Sequence, residues 1–155
     1  MKKMLIVVLF AFSFIGCDMV CDLYYEDAFC GKSLYYTEEW NGLETEQDVY
    51  HWIRENIEYD SSTDKNGEYG SNPESTVKRG SGDCDDIAIL AMNMIYYVTG
   101  QKADLILVTI SRQIVNGGLD SNHAMIRING VNVDPLSGRR FQGGINYRYD
   151  FNEVF

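Results

Sequence analysis

Apolar residues recur at intervals of three and four in two stretches of the chain. The first stretch follows Thr45, whose hydroxyl can cap the backbone N–H of Asp48. Its apolar positions are Val49, Trp52, Ile53 and Ile57. The second stretch begins at Cys84 and ends before Gly100, which suits a helix C-cap. Its apolar positions are Ile87, Ala88, Leu90, Ala91, Met94, Ile95 and Val98. Because they cover much of its circumference, we predict that this second helix is central and buried.

Two loops and one short helix are predicted between these helices. Residues 60–72 are rich in Ser, Asp, Gly and Asn, which is typical of an exposed loop. Pro73 and Gly80 mark the start and the stop of a helix over residues 74–79. A second loop, residues 80–83, then leads the chain to Cys84.

Beyond Gly100 the apolar period changes from 3.6 to 2. Residues 103–110 read as a strand, and residues 123–128 and 131–134 form a hairpin around Asn129 and Gly130, a pair that favours a two-residue turn. Residues 147–151 are a candidate further strand. Helices come first and strands after, which predicts an α+β fold with an antiparallel sheet.

Composition limits the classes of partner. The 155 residues carry a formal net charge of −10, which argues against the phosphate backbone of nucleic acid as a ligand. The 45% apolar fraction is sufficient for one compact domain.

The amino terminus has the pattern of an export signal. Lys2 and Lys3 precede an apolar run of roughly a dozen residues, too short to span a bilayer. The run ends at Gly16-Cys17, which resembles a bacterial lipobox, so Cys17 is the candidate lipidation site. We therefore predict a signal peptide over residues 1–16, a tether over residues 17–42 and the folded domain over residues 43–155. A cleaved signal without lipid and a buried first helix are the alternatives.

Export also changes how the remaining cysteines are interpreted. Outside the cytoplasm thiols meet an oxidising environment, and Cys21 and Cys30 are candidates for a small disulfide loop. Cys84 is then left over, which requires either a reactive role or burial as a small apolar side chain.

The predicted position of Cys84 suits a nucleophile. A helix N-terminus presents unpaired N–H groups and a partial positive charge, and both favour thiolate. Asp83 is the expected cap, but the carboxylates of Asp83, Asp85 and Asp86 act in the opposite direction, because nearby negative charge raises a thiol pKa. A nearby imidazole would be needed to activate the sulfur.

The hairpin supplies an imidazole and a carboxylate on one face. With Asn129 and Gly130 in the turn, Met125 faces Asp134, so His123 lies diagonally from Asp134, roughly 7 Å away. The apolar residues fall on the other face: Ala124, Ile126, Ile128, Val131 and Val133. Asp134 would then orient the imidazole, and His123 would accept the proton of Cys84. His51, the other histidine, is interpreted as structural.

These motifs resemble those of a known superfamily. Gly82-Asp83-Cys84-Asp85-Asp86, followed by His123-Ala124 and Val133-Asp134-Pro135, is similar to the transglutaminase-like superfamily of bacterial proteins. The resemblance implies a papain-like fold, in which a Cys-bearing central helix packs on an antiparallel sheet that supplies His and Asp. It implies Cys84 as nucleophile, His123 as base and Asp134 as the residue that orients it.

The resemblance also bears on the oxyanion site. The backbone N–H of Cys84 is the expected first donor. Animal transglutaminases place a Trp upstream of the Cys, but no Trp lies between Tyr59 and Cys84, so Tyr59 is the candidate for the second donor.

Three functions therefore compete at this stage. The first is a lipid-anchored cysteine acyl-transfer enzyme of the cell envelope that acts on protein or peptide substrates, with hydrolysis favoured over transglutamination and no cofactor. The second is a non-catalytic binding module on the same scaffold. The third is a metal site of Cys84, His123 and nearby carboxylates, which is disfavoured because the spacing matches no zinc motif.

Overall fold

The computed structural model describes residues 29–62, 70–111, 120–141 and 144–155. The helices are α1 (Glu46–Asn56), α2 (Pro73–Arg79), α3 (Cys84–Thr99) and α4 (Phe151–Val154), and a 3₁₀ turn spans Glu38–Trp40. The strands are β1 (Glu58–Tyr59), β2 (Ser81–Gly82), β3 (Asp104–Ser111), β4 (Asp120–Ile128), β5 (Val131–Asp134), β6 (Arg139–Phe141) and β7 (Tyr147–Tyr149). The predicted α+β class is confirmed.

The helices begin and end at capping residues that the sequence indicates. Thr45 and Asp48 form a reciprocal capping box at the start of α1. Gly80 and Gly100 end α2 and α3 in the left-handed region, with φ of 68° and 73°. Asp83 caps α3 by accepting the backbone N–H of Asp86. Helix α3 therefore begins at Cys84, as predicted.

Helix α3 is the centre of the core. Every residue from Asp85 to Ile95 is buried, including Asn93. Its apolar side chains pack with Val49 and Ile53 of α1 and with Ala124 and Ile126 of β4. A helix buried on most of its surface fits the predicted central position.

Five strands form the sheet on which α3 packs. Their order is β6-β5-β4-β3-β7, and every pairing in it is antiparallel. Ala124, Ile126 and Ile128 belong to the core on the α3 side, whereas Met125 packs with Ile106 and Val108 on the other side. The predicted Cys-bearing helix on an antiparallel sheet is confirmed.

The β4–β5 hairpin has the predicted register. Ile128 pairs with Val131 and Ile126 pairs with Val133. The turn residues Asn129 and Gly130 have φ of 51° and 79°, which a two-residue turn of this kind requires. All residues of the hairpin therefore face the sides assigned to them from the sequence.

Several elements differ from the prediction. Strand β7 ends at Tyr149 instead of residue 151, because Asp150 caps α4 and Phe151 begins it. Strand β6 was not predicted. Nor was the short parallel pairing of β1 with β2, in which Glu58 lies opposite Ser81 and Tyr59 lies opposite Gly82.

Residues 29–42 pack closely on the rest of the domain. Phe29 and Trp40 are buried in its core. Tyr35 exchanges two hydrogen bonds with the buried Asn93 side chain, at 2.9 Å and 2.8 Å, and Lys32 donates its backbone N–H to the Val154 carbonyl. This part of the segment assigned to a tether thus contributes to the core, and the domain boundaries otherwise stay a prediction.

The predicted signal peptide, Cys17 and Cys21 lie outside the described residues. Among the helices that are described, none has the length and apolarity needed to cross a bilayer. Cys30 is partly buried near the beginning of the described chain. Its pairing with Cys21 stays a prediction.

Candidate functional site

The approach to Cys84 is a tightly packed backbone segment. Strand β2 lies between β1 and the first turn of α3, and a Cβ on Gly82 would come within 2.7 Å of the Asp86 Cβ and 3.2 Å of the Thr76 Cγ2. Only glycine fits there without displacing a neighbour. The sulfur of Cys84 is therefore presented at the helix N-terminus from a fixed backbone.

The surroundings of the Cys84 thiol favour its protonated form. Burial raises its pKa to about 11, the N–H of Ala124 lowers it, and the carboxylates of Asp85 and Asp83 raise it. The thiol also donates a long hydrogen bond, 3.9 Å, to the Asp85 Oδ1. The opposition between helix N-terminus and flanking carboxylates that the sequence indicates is thus present.

The sulfur lies at an open edge of strand β4. The β4–β5 ladder ends at Ile126 and Val133. In the same register Pro135 would lie opposite Ala124, and it could not donate to the Ala124 carbonyl because it has no N–H. Next to a two-residue turn, alternate residues of β4 direct their N–H groups toward β5, and Ala124 is one of them. That N–H lowers the pKa of the Cys84 thiol, so it lies near the sulfur. The end of β5 therefore leaves room for the sulfur.

His123 precedes Ala124 on the same strand. Its Cα partner on β3 is Val108. The adjacent residues His123 and Ala124 thus provide the candidate base and the backbone N–H that lies near the sulfur. The imidazole Nε2 is 3.9 Å from the Asp134 Oδ2, and both side chains are mostly buried. His123 and Asp134 are brought together as the register predicts, at a distance longer than a hydrogen bond.

The carboxylate of Asp134 is held by the turn that follows it. Its Oδ1 accepts the backbone N–H of Leu136 at 3.0 Å, and its Oδ2 accepts the hydroxyl of Ser137 at 2.9 Å. The backbone of Asp134 also accepts the N–H of Gly138. These contacts fix the direction of the carboxylate within a few residues of chain.

Tyr59 lies close to the same group of residues. It is 48% exposed, and it pairs with Gly82, two residues before Cys84. Burial raises the pKa of its phenol, and the negative charges of Cys84, Asp83, Asp85 and Asp134 raise it further. The phenol thus keeps its proton at neutral pH and remains a hydrogen-bond donor.

Arg79 and Asp86 take part in contacts that connect α2, residues 70–71 and the first turn of α3. The guanidinium of Arg79 contacts the Asp86 Oδ2 at 2.6 Å and the Ser81 carbonyl at 2.9 Å. The Asp86 Oδ1 accepts the N–H of Ser71 at 2.6 Å, and the Asp85 Oδ2 accepts the N–H of Gly70 at 2.7 Å. Helix α2, residues 70–71 and the first turn of α3 are therefore joined around two buried carboxylates.

Asp83, Asp85 and Asp86 offer oxygens within 4.8 Å of one another, which is close enough for a cation. Their hydrogen bonds to Arg79, Gly70, Ser71 and the first turn of α3 explain this proximity without a cation.

His51 lies outside this site, in an exposed pair with Glu55 at 3.2 Å.

A half-buried thiol at the start of a central helix, beside a strand that carries histidine, defines a class: α+β domains with a candidate cysteine nucleophile. The chain belongs to the Transglutaminase-like domain family, whose profile matches residues 31–132. The match includes Tyr59, Cys84 and His123, and ends two residues before Asp134. A search of curated proteins gives no significant match.

Among solved structures, the chain is similar to one described as a "Putative Cysteine Protease from Cytophaga hutchinsonii". The sequence identity is 17% and the TM-score is 0.47. The alignment covers 86% of this chain and 48% of the other, so this chain spans about half the length of that protein.

Three features of the site were not predicted from the sequence. The Ala124 amide contact depends on where β5 ends, which the hairpin register and Pro135 together could have indicated. The Ser137 contact has a weak local signal, since serine three residues after Asp134 in a Pro- and Gly-containing turn can hydrogen-bond back to it. The Arg79–Asp86 contact has no signal in the sequence.

Proposed function

We propose that this protein is a cysteine-dependent acyl-transfer enzyme that acts on amide bonds of protein or peptide substrates. The observation that carries the proposal is the convergence at one edge of β4. There the Ala124 N–H lowers the pKa of Cys84, His123 is the residue next to Ala124, and the His123 Nε2 is 3.9 Å from the Asp134 Oδ2. Family membership supports the same chemistry.

In the proposed reaction, His123 accepts the thiol proton and the sulfur attacks the carbonyl carbon of the amide. The carbon–nitrogen bond then breaks, the amine leaves with the proton from His123, and a thioester on Cys84 remains. Water or an amine attacks the thioester with His123 again as base, which releases the acid or a new amide and restores the thiol. Hydrolysis is the favoured outcome.

The tetrahedral intermediate needs donors for its oxyanion. The backbone N–H of Cys84 is one candidate, because it lies at the N-terminus of α3, where N–H groups lack helical partners. The phenol of Tyr59 is the second, because it keeps its proton and lies on the strand paired with the residues before Cys84. Tyr59→Phe should therefore lower kcat more than it changes KM.

The test uses casein with and without a fluorescent primary amine, and compares the protein with its Cys84→Ser and His123→Ala variants. Peptide fragments that appear with the parent protein only indicate hydrolysis, and label incorporated into casein indicates transfer. If Cys84→Ser retains either activity, the thioester mechanism is wrong.

A non-catalytic binding module is the second candidate, and the raised pKa of Cys84 favours it. A thiol with a pKa of about 11 is almost entirely protonated at pH 7. Iodoacetamide labelling distinguishes the two: rapid labelling at neutral pH that requires His123 supports the enzyme, whereas slow labelling indifferent to His123→Ala supports the module.

We further propose that the protein is exported and attached to a membrane of the cell envelope through lipid on Cys17. The charged and apolar pattern of residues 1–16 carries this proposal. The mass of the protein isolated from bacterial membranes should show loss of residues 1–16 and gain of acyl chains. Cys17→Ser should abolish the gain and release the protein from the membrane fraction.

A further inference from the structure

The turn between β5 and β6 contains a serine, Ser137, whose side chain is directed at Asp134. Ser137 donates its hydroxyl to the Asp134 Oδ2 at 2.9 Å, and its oxygen accepts the backbone N–H of Arg139 at 3.3 Å. The hydroxyl hydrogen points at the carboxylate, which accepts it, and the hydroxyl oxygen can accept the Arg139 N–H at the same time. The serine therefore acts in one orientation as a donor to Asp134.

The two oxygens of Asp134 are held differently. The Oδ1 accepts the backbone N–H of Leu136. Replacing the Leu136 side chain by any residue other than proline would keep this contact. The Oδ2 is held by the Ser137 hydroxyl alone among the side-chain hydrogen bonds found at that oxygen in the described residues, and it is the atom 3.9 Å from the His123 Nε2. The oxygen that faces the imidazole is thus held by a side chain, which can be replaced without changing the backbone contact of the other oxygen.

From this geometry we infer that Ser137 is a positioning residue of the site: it holds the Asp134 carboxylate in the direction from which Asp134 orients His123. Ser137 does not touch the substrate or the sulfur in this role. It acts on the reaction through Asp134 and His123, so its effect exists only while His123 is present. The inference rests on the proposed function.

The test is a double-mutant cycle on the rate of Cys84 alkylation by iodoacetamide at pH 7. Ser137→Ala should slow labelling about tenfold, the size expected when a hydrogen bond to a charged group is lost. In the His123→Ala background the same substitution should have no further effect. Ser137→Thr keeps the hydroxyl and should restore most of the rate. Ser75→Ala, at an exposed position of α2, is the matched control and should label like the parent.

Each other outcome overturns the inference in a recognisable way. If Ser137→Ala labels as fast as the parent while His123→Ala is slow, Ser137 has no positioning role and the proposed function stands. If Ser137→Ala slows labelling equally in both backgrounds, its role is merely structural. If the parent and His123→Ala label at the same rate, the proposed function and this inference both fail.

Discussion

The two halves of the candidate site are held in place by different kinds of contact. Cys84 is positioned by segments that are distant in sequence, because Arg79, Gly70 and Ser71 converge on the first turn of α3. Asp134 is positioned by its own turn, through Leu136 and Ser137. The thiol half therefore depends on tertiary packing, and the carboxylate half depends on local chain geometry.

This difference predicts how substitutions act. In the thiol half, a change that disturbs the site should also lower the free energy of unfolding, because the same buried contacts serve both. In the hairpin half, the contacts are more exposed and local, so a change can disturb the site while most of the stability remains. The following predictions test that separation.

Arg79→Met should have the largest effect on stability. It leaves the Asp86 carboxylate, which is 1% exposed, without its cation, and an unpaired buried charge is costly. We expect the free energy of unfolding in urea to fall by about 3 kcal/mol, the low end for a broken buried pair, because Arg79 is partly exposed.

The control is Lys78→Met on the same helix. Lys78 pairs with Glu74 at 2.7 Å on the exposed surface, and such pairs contribute less than about 1 kcal/mol. Equal losses in the two variants would contradict the view that the Arg79 contact is a buried support of the thiol half.

Gly82→Ala should destabilise by about 2 kcal/mol, because the new Cβ would overlap the Asp86 Cβ, 2.7 Å away, and overpacking of this kind forces backbone shifts. The melting temperature should fall, and Cys84 labelling should change with it. Gly144→Ala is the matched control, since a Cβ there meets no atom within 4 Å. A melting temperature unchanged by Gly82→Ala would show that the approach to Cys84 is not tightly packed.

Gly130→Ala should cost about 1 kcal/mol, because an L side chain is strained at φ of 79° and the added Cβ has no neighbour to contact. The loss should appear in urea unfolding as a smaller change than that of Gly82→Ala. A loss as large as that of Gly82→Ala would contradict this account of Gly130.

Asp85→Asn should have the smallest effect on stability and should increase reactivity. The amide oxygen can still accept the N–H of Gly70, but the negative charge that raises the pKa of Cys84 is gone, so the thiolate fraction rises at any pH well below 11. Iodoacetamide labelling at pH 8 should be several-fold faster than in the parent.

At pH values above the pKa of Cys84 the two rates should converge, because the thiol is then ionised in both proteins. Glu74→Gln, on the exposed surface of α2, should leave the labelling profile unchanged. Slower labelling of Asp85→Asn at pH 8 would mean that Asp85 helps to hold the sulfur and does not restrain its ionisation.

The hairpin half was predictable because its determinants are local. Asn129 and Gly130 fix the turn, and the period of two then fixes which residues share a face with His123 and Asp134. The start of α3 was predictable for a similar reason, since Asp83 and Gly100 are cap residues at the ends of an apolar helical pattern.

The thiol half was predictable only in part because its remaining determinants are tertiary. Nothing local marks Arg79 as the partner of Asp86, or Gly70 as the donor to Asp85. Residues 17–42 were assigned to a tether because they mix Cys, Asp, Tyr and Glu without clear periodicity. Trp40 and Phe29 nevertheless find their places in the core through contacts with distant residues.

The proline that ends β5 determines how far the hairpin can extend. A residue with an N–H and a strand-forming side chain at position 135 could donate to the Ala124 carbonyl and let the ladder continue past Val133. The carbonyl of that residue would then accept the Ala124 N–H, which in this structure lies near Cys84. In family members with a longer hairpin, we therefore expect either a displaced cysteine or another interruption of the strand pairing. One backbone N–H cannot donate fully both to the carbonyl of a neighbouring strand and to a nucleophilic sulfur.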